Sequence, residues 1–232
     1  FSKNDLPMIF KKNKISLDIL NFLNSKIKKN KILKLRIFNF IVKYPLHKFG
    51  KTNSIDIINS GELDAFNFYK KNKKNYKKVL DLGANVGLHT IILAKLGFDV
   101  TSFEPEDTHY RLLKNNCKLN NVKCKIVKKA VYNRDGEVTM IKIHDHTPGS
   151  HIAGSKKNPY GKLSKHKVKT VNFKKLIKKY DLIKVDIEGA EKKIIETTSV
   201  TDWKKTDAMV EIHNPENAKF IWNKFKNTEI NF

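Results

Sequence analysis

The run Lys184-Val185-Asp186-Ile187-Glu188-Gly189-Ala190-Glu191 packs an amine and several carboxylates into a short, otherwise apolar stretch. If extended geometry persists, alternation turns Lys184, Asp186 and Glu188 to one side. Two carboxylates and an amine there can bind a ligand ammonium, hold a divalent cation or deprotonate a hydroxyl. The bland alternative is a set of salt bridges that neutralise one another. Further along, Glu211 and His213 share one side of another apolar run. A histidine suits general-base work because its ordinary pKa lies near neutrality, and its bland reading is a helix cap. Asp186, Glu188, Glu211 and His213 could also offer oxygen and nitrogen ligands to Mg²⁺ or Mn²⁺, a divalent metal that is possible but not predicted. His144, His146 and His151 form an H-x-H pattern without cysteine partners, a weak metal signal, so contact with a substrate is the expectation.

A second constellation lies upstream, in VLDLGANVGLHTIILAKLG at 79–97. It reads as a strand (79–82), a glycine turn (83–87) and the start of a helix, which lets a small ligand lie against bare backbone. The dinucleotide fingerprint is G-x-G-x-x-G, whereas here Gly83 and Gly87 are separated by Ala84, Asn85 and Val86. With Asp81 before it, the D-x-G-x-x-x-G turn resembles the cofactor loop of S-adenosylmethionine-dependent methyltransferases. Glu104 ends the next strand, where a carboxylate can accept hydrogen bonds from both ribose hydroxyls. Asp81 either orders the turn or meets the ligand ammonium, and Asn85 touches the ligand. His89 reads as a packing residue.

The elements that must hold these groups alternate strand and helix from residue 79 onward. Strands are expected at 79–82, 99–103, 124–128, 182–185 and 208–212, with an added strand at 137–143. Helices are expected at 62–69, 86–96, 107–119, from Asn172 to Lys179, after Gly189, and at 215–226. Such a rhythm implies an α/β fold, a Rossmann-like, doubly wound and mostly parallel sheet with helices on both faces. Residues 144–165 read as a long loop. Residues 1–50 form a separate basic extension read as helical, from Leu17, Leu20, Phe22, Leu23, Ile27, Ile32, Leu35, Phe38 and Ile41, ahead of a 51–232 domain. A terminal hairpin would complete such a sheet, and residues 228–232 supply one strand at best, so the chain looks truncated there.

Composition narrows the classes. The 232 residues carry a formal charge of +24, and 40% are hydrophobic, enough for one good core. Lysine, asparagine and isoleucine rise together, as in an AT-rich coding sequence. The lysines are spread along the chain without an interleaved aromatic face, so a solvated basic surface is preferred to a nucleic-acid site. No apolar run approaches the ~18 residues of a membrane span, although a basic amphipathic helix over 32–42 could rest on a membrane. Cys117 and Cys124 lack metal or redox spacing and fit a reducing, cytoplasmic setting.

Taken together, four segments resemble the FkbM family of S-adenosylmethionine-dependent methyltransferases. They are VLDLGANVGLHT (79–90), SFEPEDTHYRLLKNN (102–116), AVYNRDGEV (130–138) and LIKVDIEGAE (182–191), with VEIH (210–213) trailing. The resemblance implies a class I methyltransferase fold, S-adenosylmethionine as donor, and a hydroxyl of a sugar, glycan or related natural product as acceptor. It implies that Asp81, Gly83, Ala84, Asn85, Gly87, Glu104, Pro105 and Ala130 hold the donor. Lys184, Asp186, Glu188 and His213 would face the acceptor. The rival readings are a basic nucleic-acid-binding protein or RNA methyltransferase and, more weakly, a nicotinamide dehydrogenase or an inactive donor-binding protein.

Overall fold

The computed structural model describes residues 32–54, 60–156, 158–159 and 161–230. Strands β1 (Ile32–Ile37) and β2 (Phe40–Pro45) form an antiparallel hairpin, and β3 (Lys48–Phe49) pairs with β4 (Thr52–Asn53). Helix α1 (Ser60–Lys71) precedes β5 (Lys78–Leu82), α2 (Leu88–Leu96), β6 (Asp99–Phe103), α3 (Asp107–Leu119) and β7 (Lys125–Val127). Then come β8 (Ala130–Tyr132), β9 (Gly136–Ile143), β10 (His151–Ile152) and β11 (Leu163–Asn172). The chain returns through β12 (Leu182–Val185), α4 (Glu191–Ile195), β13 (Asp207–Val210) and α5 (Pro215–Phe225).

The central sheet is parallel throughout, in the order β13-β12-β5-β6-β7. Each of its inner strands is hydrophobic on both faces, as a sheet covered on both sides requires. Side chains alternate between two cores. Val79 and Leu182 join Ile91, Leu93 and Leu113 on one face. Leu80, Leu82, Ile183 and Val185 join Ile194, Trp203 and Phe225 on the other. The same alternation sends Asp81 and Lys184, which are register partners, to the α2 side. Chain reversals between strands follow local signals. Gly87 (φ 94°) starts α2 and Gly97 (φ 96°) ends it, Glu106 caps α3 by accepting the His109 N–H at 2.8 Å, and Asn214-Pro215 opens α5.

Three readings of the sequence are corrected. Residues 32–45 are a β-hairpin and not a helix. Both periods fit that run, because Ile32, Leu35, Phe38 and Ile41 sit at helical spacing while Leu33, Leu35 and Ile37 alternate with Lys34 and Arg36. The alternation wins because it turns Leu35, Val42 and Tyr44 inward onto α2 and α3. The helical expectation over Leu17–Ile27 falls outside the described residues. The stretch 144–165 is not a loop throughout. It holds a 3-10 turn (Thr147–Gly149), β10 and the start of β11, and β10-β9-β11-β8 make a second, four-stranded sheet. Where a helix from Asn172 was expected, two short 3-10 turns, Phe173–Lys175 and Ile177–Lys179, stand instead. No strand follows α5 among the described residues. No described helix is long and apolar enough to cross a membrane.

Candidate active site

The carboxyl ends of β5, β6 and β12 open into one cleft of about 210 Å³. Its first wall is main chain. After Leu82 the backbone turns at Gly83 (φ 73°), whose N–H donates to the Phe103 carbonyl at 3.1 Å. A Cβ at Gly83 would stand 1.7 Å from the Asp186 carbonyl oxygen, so only glycine lets the β5 and β12 ends approach this closely. Asn85 also adopts a left-handed conformation (φ 51°) and donates its N–H to Glu104 Oε2 at 2.8 Å. Its own Oδ1 is buried without a partner. Glu104 Oε1 accepts the Glu106 N–H at 2.8 Å. Burial nonetheless pushes the Glu104 carboxyl up to about 8, because the two N–H groups offset only part of the desolvation cost.

The second wall is side-chain charge. Lys184 Nζ lies 3.1 Å from Asp186 Oδ2 and 3.9 Å from Asp81 Oδ1. Burial alone would lower the lysine pKa, but Asp186 and Asp81 hold it above the ordinary lysine range. Burial likewise opposes charge on Asp186, and the Lys184 ammonium more than reverses that, leaving its pKa low. His213 Nε2 faces Glu188 Oε2 at 3.4 Å, Asp186 Oδ1 at 3.6 Å and Glu211 Oε1 at 3.8 Å. On its other side Nδ1 donates to Glu191 Oε1 at 3.1 Å. Glu191 is fully buried, accepts the Gly189 N–H at 2.9 Å, and is braced by Asn217 Nδ2 at 2.5 Å. Burial would lower the His213 pKa, yet the Glu191 hydrogen bond and the Glu188 and Asp186 charges raise it to about 8.

Not every expected residue reaches the cleft. Gly83, Asn85, Glu104, Pro105, Ala130, Asp186 and Glu188 line it. Asp81 lies beneath the floor, where Oδ2 accepts the Thr90 hydroxyl at 2.6 Å. Ala84 is buried, and Gly87 fits against α3, where a Cβ would meet Leu113 Cδ1 at 2.4 Å. Lys184 and His213 stand just behind the lining residues, in contact with Asp186. Glu188 leaves the extended conformation assumed for it (φ 56°) and still meets His213, with Lys156 paired to its carboxylate. Asp186, Glu211 and His213 offer atoms within 4.8 Å of one another, a spacing a cation could use. The Lys184 ammonium already provides positive charge at Asp186, and no metal role is assigned.

A third wall comes from segments without an obvious motif. The β3–β4 turn docks on residues 144–147, with the Lys51 N–H on the Asp145 carbonyl at 2.8 Å and Thr52 Oγ1 at 3.3 Å from His146 Nδ1. His146 and His151 line the cleft, whereas His144 pairs with Ser164 at 2.9 Å away from the lining. Glu62 on α1, unmarked by any motif, also lines the cleft and pairs with His89 Nε2. His89 packs against Phe66 as a core residue would, but its Nδ1 also meets the Tyr69 hydroxyl at 2.9 Å. In the sequence Glu191 is only the end of a motif. Its role appears only when α4 packs against α5, which brings Asn217 and His213 to its carboxylate.

The sequence matches the methyltransferase FkbM domain over residues 81–229. No curated protein matches the chain. Among solved structures, a tRNA (uracil-54, C5)-methyltransferase of Pyrococcus abyssi in complex with S-adenosyl-L-homocysteine is similar at 18% identity and TM-score 0.36, covering 67% of this chain and 28% of that one. A 16S rRNA methyltransferase of T. thermophilus in complex with AdoMet and guanosine reaches 14% identity and TM-score 0.44, covering 86% and 47%. An O-methyltransferase-like protein of Klebsiella pneumoniae gives 12% identity and TM-score 0.32, covering 58% and 46%. The present chain thus spans less than half the length of each.

Proposed function

Because the chain belongs to the methyltransferase FkbM domain family, we propose that it transfers the methyl group of S-adenosylmethionine to a hydroxyl of a sugar, glycan or related natural product. The observation that carries this reading is the meeting of two unlike walls in one cleft: bare backbone and Glu104 on one side, Asp186 and Glu188 on the other. The residues present fit the donor. Gly83 lets the β5 and β12 ends close into one cleft with bare backbone on its lining, and the buried Asn85 Oδ1 lacks the donor it needs. Glu104 would accept hydrogen bonds from the donor's ribose hydroxyls, and Pro105 and Ala130, on the same lining, would help to hold it. Ala84 and Gly87 shape the turn from behind, and Asp81 holds its floor.

When bound, S-adenosylmethionine supplies a methyl carbon that its sulfonium has already made electrophilic. What remains for the chain is to align an acceptor oxygen and take its proton, and alignment supplies most of the acceleration. Asp186 and Glu188 accept hydrogen bonds from the acceptor's hydroxyls. Glu191 can only accept, so the proton of neutral His213 sits on Nδ1 and Nε2 presents its lone pair beside Asp186 and Glu188. His213 Nε2 takes the hydroxyl proton, and the buried Glu191 carboxylate steadies the imidazolium that results. Lys184 keeps Asp186 ionised.

The lining also favours a polyol over a polynucleotide. Glu62, Asp186, Glu188 and Glu211 outnumber Lys129 on the lining, and such walls repel phosphodiesters while accepting sugar hydroxyls. The thiols Cys117 and Cys124 are free, 3.5 Å apart, and suit the cytoplasmic setting in which we place the enzyme. The test is calorimetric titration of S-adenosylmethionine into the unaltered protein and Gly83→Arg, followed by methyl transfer to a panel of glycans and to RNA. Absence of donor binding by the unaltered, folded protein sinks the proposal. Transfer to RNA alone sinks the acceptor assignment.

A further inference from the structure

The outer face of the β1–β2 hairpin lies away from the cleft and has an unusual make-up. Alternation exposes Ile32, Lys34 and Arg36 on β1, and Ile41 and Lys43 on β2. Register places Lys34 directly opposite Lys43. Like charges facing each other across strands destabilise a sheet, and an ordinary surface relieves them with an acidic neighbour. Here no ion pair involves Lys34, Arg36 or Lys43 among the described residues. The antiparallel β9–β11 pair of the four-stranded sheet contrasts with this, since it sets Lys169 opposite Glu137.

The face is also a fixed platform. Asn120, after α3, accepts the Lys43 N–H at 2.7 Å and donates to the Lys43 carbonyl at 2.7 Å, which pins β2 to the helical layer. Between hairpin and helices runs a shallow groove walled by Lys34, Ile41, Lys43, Lys95, Asn120 and Asn121, with no carboxylate on its lining. Lys95 and Asn120 lie at the C-terminal ends of α2 and α3, the opposite end from the glycine turn. A partner seated here leaves the cleft mouth open.

We propose that this hairpin face docks on an anionic phospholipid surface. Cations attract lipid phosphates, and Ile32 and Ile41, 45% and 40% exposed between them, enter the boundary between headgroups and acyl chains. A polynucleotide fits the face less well, because stacking on bases needs open aromatic rings. Of the hairpin's rings, Tyr44 is buried, and Phe38 and Phe40 are turned against the core and face Lys70 and Lys95, with the ammonium groups 4.5 and 5.9 Å from the ring centroids.

The experiment is sedimentation of the full chain with vesicles of phosphatidylcholine alone and of phosphatidylcholine mixed equally with phosphatidylglycerol. Binding should require the anionic lipid, and Lys34→Gln/Lys43→Gln should weaken it about thirtyfold, the size expected for two basic side chains at such a surface. Lys165→Gln/Lys167→Gln removes the same charge from exposed positions of β11 and should change binding less than about twofold, the surface attraction falling off within a Debye length. Ile41→Ser should weaken vesicle binding while leaving donor binding intact. Equal loss in both lysine double variants would reduce the effect to net charge and overturn the proposal. So would absence of vesicle binding, or tighter binding of single-stranded RNA that the hairpin variant abolishes. Donor titration of each variant reports whether it is folded, and it separates failure here from failure of the proposed reaction.

Discussion

Two of the cleft's three walls are built from contrasting materials. The wall proposed to hold the donor is backbone: Gly83, the left-handed Asn85 and a single carboxylate, Glu104, held by two N–H groups. The wall proposed to face the acceptor is a web of side-chain charge, in which Asp186 and His213 link Lys184, Glu188 and Glu191. The first should be sensitive to added volume and indifferent to charge elsewhere. The second should tolerate small changes of shape and fail when a proton or charge is misplaced.

The largest effect should separate the walls outright. His213→Gln is expected to lower kcat about a thousandfold, the scale of lost general-base catalysis, while donor affinity stays within about twofold. Parallel loss of donor affinity would show the walls to be one unit. Next in size, Gly83→Ala forces a Cβ onto the Asp186 carbonyl and should weaken donor binding roughly a hundredfold in calorimetry.

Glu104→Gln should cost about tenfold in donor affinity, as expected for losing charged hydrogen bonds. It should also remove a pH dependence. Burial raises the Glu104 carboxyl to about 8 in the donor-free protein, so affinity should strengthen as pH rises toward that value and level off above it. The smallest effect sharpens the acceptor wall. With His213 held at about 8, kcat at saturating donor should climb as pH rises through that value, because the imidazole must shed its proton to act as base. Glu191→Gln removes the hydrogen-bonded partner that raises it, so the limb should move toward the ordinary imidazole range with only a few-fold change in maximal rate. An unmoved limb would assign the titration to another group.

How much was legible follows from how local each feature is. The parallel strands were readable because fully buried strands are continuous apolar runs, and β12 fell on the expected residues 182–185. Helix α3 also matched, since its cap and its 3.6-residue period agree. The hairpin at 32–45 was misread because its alternation and a helical spacing coincide, and only burial against α2 and α3 chooses between them. The second sheet escaped notice for a different reason. β8 and β10 have three and two residues, and most of β11 alternates between exposed and half-buried positions, so its apolar face is thin. Glu62 carries no signal at all, because nothing in α1 distinguishes a cleft-facing carboxylate from a first-turn one.

The sequence by itself determined the family, the alternating strand–helix order, the glycine turn and the motif that carries Asp186 and Glu188. Each of these is written in consecutive residues, where backbone preference and spacing act without help from distant parts of the chain. Only the tertiary structure decided that Asp81 serves the floor and not the cleft, and that Glu191 sets the tautomer of His213. It also brought Glu62 and His151 into the walls and faced Lys34 with Lys43 on the far side. Those facts depend on burial and on contacts between remote segments, which raise or lower a pKa and pair or orphan a charge. No local pattern records them.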